Sequence, residues 1–66
     1  MDGQGCLEFD NVVVVRNTGL LLVCRVNGRA VSVLPQEMLF GTTIWQPGDC
    51  GHLVLPGEVA RHLGLL

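Results

Sequence analysis

The chain contains no lysine, and its four arginines stand against six acids for a net charge of −2. Nonspecific affinity for nucleic acid comes largely from neutralising backbone phosphate, so such attraction has little to work with globally. What stays open is a local cluster drawn from Arg16, Arg25, Arg29 and Arg61. Long apolar runs are also missing: nothing approaches the roughly 20 residues that span a bilayer as a helix. The opening MDGQGCLEFD has neither the basic start nor the apolar core of a signal peptide. A cytoplasmic protein that does not enter a membrane is expected. Cysteine is too sparse and too odd in number for a disulfide framework, so Cys6, Cys24 and Cys50 are expected as reduced thiols. No glycine-rich loop of the kind that cradles phosphate is present, because the glycines stand apart as turn or cap residues.

What is plentiful is hydrophobic residue, at 48% against 15% charged. A 66-residue chain makes one domain, and a domain of that size buries only about 60% of the surface its unfolded form exposes. A sparse polar coat on so small a particle points to an apolar patch covered by a second copy or by a protein partner.

Residues 1–6 read as a loose tail and 7–66 as a single β-rich domain. Leu7 and Phe9 alternate with Glu8 and Asp10, the pattern of an edge strand. Val12, Val13, Val14 and Val15 are all β-branched, which suits a pleated surface better than a helix, and predict a strand buried on both faces or covered by a partner. After a turn at Asn17, Thr18 and Gly19, the segments 20–26 and 29–34 flank Asn27 and Gly28. A two-residue type I′ turn needs positive φ at both positions, so this pair predicts a hairpin. Its register sets Val26 opposite Arg29, Cys24 opposite Val31 and Leu22 opposite Val33, giving one nearly apolar face with Cys24 buried in it. Pro35 ends that strand. A single helical turn over 36–39 follows, and 42–45 is expected to return to the sheet with Trp45 as core or as a lid.

The closing stretch 46–66 carries the most consistent local signals. Pro47, Gly48 and Asp49 supply a turn. Leu53, Val54 and Leu55 form a short strand, and Pro56 and Glu58 suit the first turn of a helix. Val59, Ala60 and Leu63 fall on one face of about two helical turns. Gly64 followed by Leu65 fits a Schellman stop. The strand-Leu-Pro-x-Glu sequence of 54–58 echoes 33–37, and the repeat reflects one strand-to-helix chemistry used twice.

No constellation carries chemistry. Cys50, His52 and His62 are metal-ligand types, but Cys-x-His is not a zinc knuckle spacing, and a fourth ligand would have to come from Cys6 or Cys24. Asp49, Cys50 and His52 have the types for nucleophilic catalysis, yet side chains on one tight turn seldom converge. The expectation is therefore no catalytic residue, no metal and no cofactor.

Residues 51–65, GHLVLPGEVARHLGL, resemble the signature of AbrB-type swapped-hairpin transcription factors and related antitoxins. In that family a glycine and a short apolar strand lead through proline into a brief helix ending Leu-Gly-Ile or Leu-Gly-Leu. Gly51, Leu53, Val54, Pro56, Glu58, Leu63 and Gly64 carry the likeness. The resemblance implies an interlaced dimer, with the remaining strands drawn from 7–45, and a nucleic-acid-binding regulator or antitoxin contacting phosphate through Arg16, Arg25, Arg29 and Arg61.

The fold expected from all of this is mainly β: a small antiparallel sheet or half-barrel of five or six short strands with a short C-terminal helix over one end. The function expected is a non-catalytic interaction module that self-associates or binds a protein partner; the alternative is the AbrB-like regulator.

Overall fold

The computed structural model of the protein describes residues 5–65. Four antiparallel strands form one sheet: β1 Cys6–Asn17, β2 Leu22–Val26, β3 Arg29–Val33 and β4 Cys50–Pro56. Their spatial order is β3-β2-β1-β4. A 3-10 turn at Pro35–Glu37 follows β3, and the helix α1 Gly57–His62 follows β4 directly.

The hairpin forms in the register that the sequence predicts. Asn27 and Gly28 take φ of 52° and 82°, and Val26 pairs with Arg29, Cys24 with Val31 and Leu22 with Val33. Leu22, Cys24, Val26, Val31 and Val33 are all buried. Burial also pushes the Cys24 thiol up from its ordinary pKa, since the thiolate would lose its hydration there.

Among the described residues the strand count is four, fewer than the five or six expected, for two reasons. Leu7 to Phe9 and Val12 to Val15 are one continuous strand and not two. Asn11 adopts φ of 57°, a left-handed conformation that asparagine tolerates better than most residues. One extra residue of β1 is thereby accommodated against β4, between the pairs Phe9–Leu53 and Val12–Gly51. Such a bulge reverses which positions face inward. Leu7 and Phe9 lie opposite Leu55 and Leu53 before it, and Val12 and Val14 are buried after it. Val13 and Val15 consequently face outward, 38% and 51% exposed, so the valine run is buried on one face only.

The second reason is 42–45, which runs beside β4 without joining the ladder. The Leu39 amide donates to Val54 O at 2.9 Å and the Thr43 amide to His52 O at 3.0 Å. Between them, threonine hydroxyls take the positions that strand amides and carbonyls would fill. Ile44 reaches the core, but Trp45 is 45% exposed and is neither core nor lid.

Around the inner face of the sheet, the buried side chains of all four strands and Ile44 form one core, against which Phe9, Met38, Val59, Leu63 and Leu65 pack. Ala60 of α1 is fully buried. The helix stops as a Schellman motif: Gly64 has φ of 77°, its amide donates to Arg61 O, and the Leu65 amide donates to Ala60 O at 2.9 Å. At the other end of the chain, the Gly57 amide donates to Gly5 O and Cys6 pairs with Pro56. Cys6 thus belongs to the sheet, while residues 1–4 of the expected tail lie outside the described residues. Among the described residues, no helix is long and apolar enough to cross a membrane.

Candidate interaction surface

The chemistry-bearing side chains are directed to separate tasks. The Asp49 carboxylate turns into its own loop, accepting from the amides of Gln46 at 2.8 Å and Trp45 at 2.9 Å. Those two bonds favour the ionised form and hold its pKa below the ordinary carboxylate value. His52, on the outward face of β4, points its Nδ1 at Asp10 Oδ1 (2.7 Å) and Glu8 Oε2 (2.9 Å). No hydrogen bond joins Cys50 to either group among the described residues. Asp49, Cys50 and His52 therefore do not assemble as a nucleophile with its base, and His62 sits exposed at the end of α1.

Glu8, Asp10 and His52 are the one group among the described residues whose potential ligand atoms all lie within 4.8 Å of one another. The sequence contained half of this signal, because Glu8 and Asp10 alternate with apolar Leu7 and Phe9 and so share a face. The partner strand, distant in the chain, supplies the rest. All three side chains are open to water, at 58%, 67% and 47% exposed. The arrangement works as a polar clasp over the β1 bulge, with the imidazole Nδ1 in hydrogen-bonding reach of both carboxylates, and at that exposure each contact contributes at most about 1 kcal/mol.

The four arginines fall into two groups. Arg25 lies opposite Val13, and Arg16 opposite Val23, which puts both on the outward face. Arg29 lies opposite Val26, a fully buried residue, and its Nη1 approaches within 2.9 Å of where a Cβ on Gly64 would stand. Arg29 accordingly lies beside the end of α1, the helix that carries Arg61, on the other side of the sheet from Arg16 and Arg25.

The sheet manages its exposed backbone unevenly. Along the outer edge of β4, Thr42 Oγ1 accepts from the Val54 amide at 3.0 Å, and Thr43 Oγ1 accepts from the His52 amide at 3.0 Å. Gly51 makes room for this lining, since a Cβ there would collide with Thr43 Oγ1. β1 runs past the end of β2, so its first half is paired only with β4. There the bulge at Asn11 and the charges of Glu8 and Asp10 protect it, devices that keep strand edges from pairing. The outer edge of β3 has neither lining nor charge within its middle residues Ala30, Val31 and Ser32. Nothing among the described residues bonds to the Ala30 or Ser32 backbone from that side.

Large apolar side chains add to the exposed surface. Phe40 is fully exposed and Leu20 is 79% exposed. Leu20 belongs to the β1–β2 turn, and the Asn17 side chain donates to Trp45 O at 3.1 Å, which sets the Trp45 backbone beside the end of β1. No pocket opens among the described residues. Comparison with family models, with curated proteins and with solved structures finds no match.

Proposed function

We propose that this protein is a non-catalytic interaction module that self-associates through exposed sheet edge and apolar surface. The observation that carries the reading is the uneven treatment of the edges. β4 is closed by a dedicated segment with two threonine hydroxyls, whereas β3 offers bare amides and carbonyls. An unpaired edge is a template for another strand.

The exposed side chains support the same reading. Burying a large apolar side chain fully is worth about 1.5 to 3 kcal/mol, and Val15, Leu20, Phe40 and Trp45 all forgo much of that in the isolated chain. For so small a domain the forgone stability is a sizeable fraction of what holds it folded. Sedimentation velocity from low to high micromolar concentration tests the reading. A sedimentation coefficient that rises with concentration supports it; an unchanging monomer throughout refutes self-association.

A further inference from the structure

We infer that β3 docks on β3 of a second copy, antiparallel, with Ala30 of one protomer opposite Ser32 of the other. The inference rests on the self-association reading and adds the surface, the partner and the register. It follows from which backbone groups are free.

In an antiparallel ladder, successive residues alternate between bonding their partner strand and pointing their N–H and C=O away from it. Closing the hairpin through two residues makes Val26 and Arg29 a bonded pair, so Val31 and Val33 also bond β2. Ala30 and Ser32 are left pointing outward. Beyond them the free edge ends, because the Leu34 amide already donates to Glu37 Oε1 at 3.1 Å.

Only one antiparallel self-pairing uses all four of these groups in both copies. Setting Ala30 against Ser32 of the second copy lets each residue exchange both of its bonds with its opposite number. Val31 then meets Val31 of the second copy across the two-fold axis, and Arg29 meets Val33. The two Arg29 residues stand four positions apart along the strands, about 13 Å at roughly 3.4 Å per residue. That exceeds the screening length of about 8 Å at physiological salt. Sliding the register toward the hairpin, Ala30 on Ala30, brings the two arginines to about half that separation. Sliding it the other way, Ser32 on Ser32, asks for the Leu34 amide that Glu37 occupies. Charge and backbone bonding thus select the same arrangement, an eight-stranded sheet continuous across the dimer.

The edge carries no device against this. Residues 30–33 contain no lysine, proline or charge, and no bulge interrupts the β2–β3 pairing. Ala30 and Ser32 are exposed and small, so their side chains leave the approach open.

Hydrogen exchange followed residue by residue across a concentration series, alongside sedimentation, tests the inference. The expected result is a dimer in which the Ala30 and Ser32 amides gain protection as concentration rises. Ser32→Pro removes one interchain donor from each copy while costing the isolated fold no hydrogen bond. Each lost bond is worth about a factor of five, so dimerisation should weaken about thirtyfold. Ser32→Lys, a surface change that the monomer accommodates, should weaken it in the same direction if the proline variant does not fold. A dimer whose Ala30 and Ser32 amides exchange as fast as in dilute solution overturns the edge inference and leaves the self-association reading standing. So does association that continues past the dimer, the signature of β3 adding to a different edge. A monomer at all concentrations overturns both.

Discussion

Replacing Gly51 with alanine tests whether 39–45 is seated on β4. A Cβ at this position would collide with Thr43 Oγ1 and lie 3.3 Å from Ile44 Cγ2. The Thr43 side chain can rotate away, but only by surrendering the bond it accepts from the His52 amide, a loss of about 0.5 to 1.5 kcal/mol. Ile44 is 3% exposed and has little freedom to retreat, and crowding a packed core costs about 1 to 3 kcal/mol. Against these stands the gain from replacing glycine in a strand, about 0.5 to 1 kcal/mol. The balance is a destabilisation of about 1 to 3 kcal/mol. For a domain of this size each kilocalorie lowers Tm by about 4 to 8 °C. Thermal and urea unfolding followed by circular dichroism should show the loss, and Gly51→Ala with Thr43→Ala should recover part of it, since the second change removes the colliding hydroxyl. An alanine variant as stable as the parent would refute the placement of 39–45. Equal additive losses in the double variant would refute the contact with Thr43.

Asp49 gives a pH dependence of defined sign. Its carboxyl is held below the ordinary range in the folded chain and returns to about 4 on unfolding. Its contribution is therefore complete above that value and is lost as pH falls through the lowered folded pKa; Asp49→Asn should make the acid limb of a stability–pH profile shallower. Leu55→Ala, at a fully buried site, should cost about 2 to 5 kcal/mol, enough to leave much of the chain unfolded by denaturant titration. Cys6 and Cys50 are exposed and Cys24 is buried, so a thiol reagent should modify two cysteines rapidly and the third only on unfolding, as read by mass spectrometry. His52→Ala should change stability by no more than about 1 kcal/mol, as read by urea unfolding.

Where local chemistry decides the outcome, the sequence was a sufficient guide. Asn27 and Gly28 fix the hairpin and its register because positive φ at two adjacent positions leaves few other conformations. Gly64 and Leu65 fix the helix stop for a related reason. Non-local pairing was not legible. The alternation of 7–10 and the valine run of 12–15 read as separate segments on either side of Asn11, because a bulge interrupts alternation just as a turn does, and only β4 on the other side shows the strand to be continuous. Thr42 and Thr43 carry the β-branched signature of a strand, but their hydroxyls accept from the β4 amides that strand carbonyls would have met. Trp45 was expected as core or as a lid; its backbone is spent on Asp49 and Asn17 instead. Glu8, Asp10 and His52 meet only because β1 and β4 pair, a fact that neither segment contains.

The long bent β1 serves two partners in turn, and this sets an order on how the molecule assembles. Its second half meets β2, its neighbour in the chain, so β1, β2 and β3 can zip as a meander through short closures. Its first half must wait for β4, which pairs Cys6 with Pro56 across nearly the whole sequence. Closures that long are entropically dear and slow. During that interval Leu7 and Phe9 have no cover, and the opening strand is where a chaperone, or a misfolded neighbour, would first take hold.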